Sequence, residues 1–148
     1  MDASAPPAQC DRRAVSHFVL WDAVSMAWSE IGLAPDEYPR IARKLATRYA
    51  SWDDIDDVVI GDVLGSFAPM SLLLLLGAVP IVGLLLITAL PDWGFEGRVL
   101  KARMRKWYAM PRWRHYLNPF RLAGYPFAYL ISWSLRRRLE AACKAAMP

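Results

Sequence analysis

Apolar residues recur at helical spacing through the first part of the chain. In "DRRAVSHFVLWDAVSMAWSEIG", Phe18, Trp21, Val24, Trp28 and Ile31 fall three or four positions apart, which gathers their side chains on one helix face. Asp11 is placed to cap this helix and Gly32 to stop it, with Leu33 folding back. "DEYPRIARKLATRYA" predicts a second helix capped by Asp36, with Pro39 in the first turn, where its missing N–H costs little. Tyr38, Ile41, Leu45 and Tyr49 share one of its faces, and Arg40, Arg43, Lys44 and Arg48 occupy the other. In "SWDDIDDVVIGDV", Ser51 and Asp54 have capping-box spacing, and Ile55, Val58, Val59 and Val63 form the stripe of a third helix.

The alternation then stops. Between Asp62 and Asp92 lie 29 residues without a formal charge, including "SLLLLLGAVPIVGLLLITAL". As helix, residues 67–90 reach about 36 Å, against roughly 30 Å of hydrocarbon. Thirteen Leu, Ile and Val between Leu72 and Leu90 favour insertion by about 4 to 8 kcal/mol. A chain this small has too little other apolar surface to bury such a helix on every side, so a transmembrane helix over 66–91 is expected. Pro69 and Pro91 read as its terminal turns, and Pro80, with Gly77 and Gly83 nearby, as a kink at mid-depth. The competing form is a shallow hairpin that turns near Pro80 and leaves on the side it entered.

Beyond the run, "FEGRVLKARMRKWYAMPRWRHY" interleaves bases with aromatic rings. A helix over 95–110 places Leu100, Met104, Trp107 and Tyr108 on one edge, which suits a helix lying in the headgroup boundary. The predicted headgroup-binding residues are Arg98, Lys101, Arg103, Arg105, Lys106 and Trp107 on that helix. Arg112, Trp113 and Arg114 follow it, and Arg136, Arg137 and Arg138 complete the set further on. The stretch "YLNPFRLAGYPFAYLISWSL" carries Arg121, Asn118 and two prolines, so its insertion energy is near zero and it reads as membrane-hugging.

Charge divides along the same boundary. Residues 1–66 hold 6 Lys or Arg against 11 Asp or Glu, and residues 91–148 hold 12 against 3. The expected organisation is therefore all-α: a disordered leader over 1–10, an acidic helical module over 11–65, one transmembrane helix over 66–91, and a basic aromatic interfacial region over 92–148. The start "MDASAPPAQCDRR" has acid before base and no short apolar core, so it does not read as a secretory signal. Lys and Arg mark cytoplasmic flanks, which puts the carboxyl-terminal part inside.

The series "WDAVSMAWSEIGL", "EYPRIARKLATRYAS" and "DDIDDVVIGDV" resembles the amino-terminal helical region of a family of small bacterial proteins of unknown function, over residues 15–64. The resemblance implies a bacterial source, hence the inner membrane, and an all-helical module. It implies no activity.

Motifs for chemistry are missing. His17 and His115 lie on opposite sides of the apolar run, and Cys10 and Cys143 fit no metal spacing. Five carboxylates between Asp53 and Asp62 read as solvated helix acids, because no calcium-loop glycine accompanies them. No enzyme activity, cofactor, metal or nucleic-acid partner is expected. The expected partners are anionic lipid and a protein bound through the acidic module. The expected function is that of a membrane-anchored interaction or accessory protein, with a membrane-associated nucleic-acid binder and a small membrane immunity or toxin-like factor as the alternative classes.

Overall fold

The computed structural model describes residues 7–29, 31–77 and 95–147. Helix accounts for 84% of them and no strand occurs among them, so the class is all-α. Residues 78–94 lie outside the described residues, and with them Pro80, Gly83 and most of the predicted membrane run.

Helix α1 spans Pro7–Ser25 and passes into a 3-10 turn at Met26–Trp28. It starts earlier than the sequence indicates, inside the expected leader, and Cys10 is already buried. It also ends sooner. The Ser25 hydroxyl donates to the Asp22 carbonyl at 2.8 Å, a local bond that competes with the helical ladder. Trp21, Val24 and Trp28 are buried as the spacing predicts, whereas Ile31 lies beyond the helix and is exposed.

Helix α2, Glu37–Ala46, buries Tyr38, Ile41 and Leu45 and exposes its cations. The Asp36 side chain does not cap it; the Glu37 carboxylate instead accepts from the Ala34 N–H at 3.2 Å. Helix α3, Trp52–Val58, opens on the predicted capping box, with Ser51 and Asp54 each bonded to the other's backbone.

The third helix does not stop before the apolar run. It continues through a π-helical segment, Val59–Leu64, into α4, Gly65–Leu76. Pro69, expected in a turn at the start of the run, sits inside α4. The stretch Trp52–Leu75 is long and apolar enough to cross a membrane, and only 39% of its most apolar window is buried.

After residue 94 the chain forms α5, Gly97–Ala109, a short α6, Arg112–Leu117, and α7, Pro119–Ala146. Asn118 caps α7 by accepting from the Phe120 and Arg121 N–H groups. The helix continues past the Arg136–Arg138 triplet to Ala146.

Helix α7 lies antiparallel to the long third helix: Gly124 faces Ala68 and Leu72, while Arg136 reaches back to Asp56. The approach at Gly124 is so close that a Cβ there would fall 1.9 Å from the Ala68 carbonyl oxygen. Helix α5 packs on α1, and α2 on α7. The acidic and basic halves of the sequence therefore share one core, in which Trp21, Phe67, Leu64, Leu100, Met104 and Leu139 are fully buried. At its edge Phe95 packs edge-on against Phe67, with ring centroids 5.2 Å apart.

Candidate functional site

The interior turns polar at the π-segment. A π-turn inserts an extra residue into the helical ladder and re-aims the side chains that follow. Here the Ile60 carbonyl accepts from the Tyr125 hydroxyl at 2.8 Å. Asp62, on the same segment, accepts from Trp107 Nε1 at 3.0 Å through Oδ1 and from the Tyr108 hydroxyl at 3.1 Å through Oδ2. Trp21 Nε1 donates in turn to the Tyr108 oxygen at 3.2 Å. Burial, reinforced by the neighbouring Asp62 charge, raises the Tyr108 phenol far above its ordinary value, so it remains a donor. Close by, His17 Nδ1 and the Tyr49 hydroxyl are 2.5 Å apart. Burial pushes Tyr49 up to about 12 and lowers His17, which keeps the imidazole neutral.

Beside this cluster a cleft of about 910 Å³ opens between α1, the π-segment, α5, α6 and α7. Asp62, Trp107, Tyr108, His115, Arg121 and Tyr125 line it, and Arg13, Arg112, Tyr116 and Leu122 stand among its more exposed walls. Arg121 is only 9% exposed. Its guanidinium lies 4.6 Å over the Trp107 ring, and Nη1 donates to His115 Nδ1 at 3.2 Å. A guanidinium has no acceptor, so His115 Nδ1 must accept and Nε2–H must donate to the Met110 carbonyl, 3.2 Å away. This is the neutral tautomer. It agrees with the lowered pKa of His115, caused by burial first and the Arg121 charge second.

A second, more open hollow of about 610 Å³ lies along Asp11, Ser16, His17, Arg48 and Tyr49. There Arg48 Nη1 is engaged with the Val15 and Ser16 carbonyls. Among the described residues no group of three or more His, Cys, Asp or Glu converges as metal ligands would.

The twelve residues predicted to meet headgroups separate in space. Trp107, 6% exposed, and Arg136, 8% exposed, face into the protein, bonded to Asp62 and to Asp56 at 2.5 Å. The edge of α5 read from sequence as entering lipid is thus packed against protein. Arg103 is half-buried, donating to the Ser66 carbonyl at 3.2 Å and lying over Phe67. Arg98, Lys101, Arg105 and Lys106 are on the outer side of α5, where Arg105 pairs with Asp11 and Lys101 lies over Phe18. Arg112, Trp113 and Arg114 are exposed on α6, and Arg137 and Arg138 on α7.

An apolar collar gathers where the stretch read from sequence as membrane-hugging begins. Tyr116, Leu117 and Phe120 are 72%, 69% and 68% exposed, with Trp113 and Leu122 alongside. The antiparallel register of α7 against α4 puts this group at the end of the molecule where α4 terminates, and there Leu73 and Leu75 are exposed as well.

Asp62, Tyr108, His115, Arg121 and Arg13 did not emerge as a site from sequence reasoning. Arg121 registers there only as a cost to insertion. Comparison of the chain with protein-family models, with curated proteins and with solved structures finds no match in any of the three.

Proposed function

We propose that the protein is a membrane-anchored accessory protein whose helical body rests on the bilayer by the collar end. The observation that carries this reading is the loss of protein cover along α4. Phe67, Ala68 and Ser71 are fully buried, yet Leu73 and Leu75 are exposed just where the sequence becomes purely apolar. A helix that leaves its own core while growing more hydrophobic needs another apolar medium. Exposed Trp113 and Tyr116 beside Arg112 and Arg114 supply the aromatic and cationic groups suited to a headgroup layer.

Both ends of the run belong to one packed body. Arg105 pairs with Asp11, Trp107 bonds to Asp62, and Phe95 meets Phe67. This packing supports the re-entrant form over a single crossing, since it keeps the acidic and basic halves on the same face of the membrane. Under the positive-inside rule that face is the cytoplasmic one of a bacterial inner membrane. There the exposed acids Asp53, Asp54 and Asp57 are open to a protein partner.

Fractionation with topology reporters at both termini tests the reading. The protein should stay with membranes through high-salt and carbonate washes, and both reporters should register the cytoplasmic side. Release by salt alone would defeat the anchor, and reporters on opposite faces would defeat the re-entrant form.

A further inference from the structure

Arg121 is the least explained charge among the described residues. It is nine-tenths buried, its Nε has no hydrogen-bond partner, and its Nη1 spends a bond on a neutral imidazole. None of the ion pairs among the described residues involves it. A guanidinium held away from water without a counter-anion is costly, and the cost is relieved when an anion enters beside it. Arg121 lines the cleft, and so do Arg13 and Arg112, both exposed. Asp62, the one carboxylate among the described residues that line the cleft, has both oxygens engaged by Trp107 and Tyr108. Three guanidinium groups therefore face one engaged carboxylate, an excess that matches a phosphate better than a single carboxylate.

We propose that the cleft is a binding site for a phosphate ester, held by Arg121 at its base and by Arg112 and Arg13 nearer the surface. Tyr116 and Leu122 line the cleft and also belong to the exposed collar, so the organic part of the ester has an apolar wall to follow. A lipid headgroup and a free phosphate ester share this chemistry. The site does not depend on how the apolar run is housed, so it stands or falls apart from the membrane reading.

The two histidines make the test direct. In the full-length protein in mild detergent, the ring Cε1–H resonances are followed by NMR, with His17→Gln assigning the pair. Inorganic phosphate and glycerol 1-phosphate are titrated in solution, and phosphatidylglycerol is presented in phosphatidylcholine nanodiscs. A bound phosphate should shift the His115 resonance saturably and move its titration to higher pH, with a smaller upward move at His17, which feels the Arg13 charge. Arg121→Gln should weaken binding roughly tenfold or more, the scale of a lost charge-assisted hydrogen bond. Arg13→Gln with Arg112→Gln, at exposed positions that leave the core intact, should weaken it several-fold. Saturation by the soluble probes identifies a free ester, and a response confined to phosphatidylglycerol identifies a headgroup. No saturable shift with any of the three probes, or equal affinity in the Arg13→Gln, Arg112→Gln variant, would overturn the proposal.

Discussion

At the scale of single residues, the fold depends on a few atoms with no room to move. Gly124 faces the Ala68 carbonyl with no space for a methyl group, so Gly124→Ala should cost about 3 kcal/mol through overpacking, read by chemical denaturation. Gly61→Ala is the matched control, since nothing lies within 4 Å of its would-be Cβ; it should be neutral or mildly stabilising. Asp62→Asn keeps one acceptor and turns an N–H toward the second donor, so it should lose about 1–3 kcal/mol. The histidines set a pH dependence. Both have an ordinary value of 6.5 and a lower one in the fold, chiefly through burial. The unfolded chain then binds more protons, so stability is complete above 6.5 and falls as pH drops through the folded values. Thermal unfolding from about pH 7.5 down to about pH 5.5 should show the decline, and His17→Gln should flatten part of it.

At the scale of elements, the capping box at Ser51 and the stripes of α2 and α3 were legible because they depend on neighbours three or four positions away. Less legible was what lies between elements. Asp56 and Asp62 have the same local sequence signature as the exposed Asp53 and Asp57, and only the arrival of α5 and α7 singles them out. The π-segment likewise has no compositional mark, yet it carries the carbonyl and carboxylate that Tyr125, Trp107 and Tyr108 bind. Arg136 on α7 and Asp56 on α3 tie the two elements at the end away from the collar. Asp56→Ala would leave the buried guanidinium without its carboxylate, so it should cost about 3 kcal/mol. Asp56→Leu combined with Arg136→Met should recover most of that in a denaturation series. Asp11→Ala, which removes an exposed pair with Arg105, should change stability by no more than about 0.5 kcal/mol.

For the whole molecule, hydropathy located the long apolar stretch and charge divided the chain, but neither indicated that the two halves interlock. Opposite net charge on either side of a greasy segment reads as two separate bodies; the contacts of α5 with α1 and of α7 with α4 make them one. The meeting of Phe95 with Phe67 has a practical corollary. Helix α4 rises only about 15 Å from Phe67 to Gly77, and roughly six extended residues cover that distance. Residues 78–94 should thus be replaceable by a short glycine-serine bridge, converting an oily protein into one that purifies from ordinary buffer. The shortened chain should keep its far-ultraviolet spectrum and a cooperative melt; a molten product would mean that the excised stretch is part of what holds the helices together.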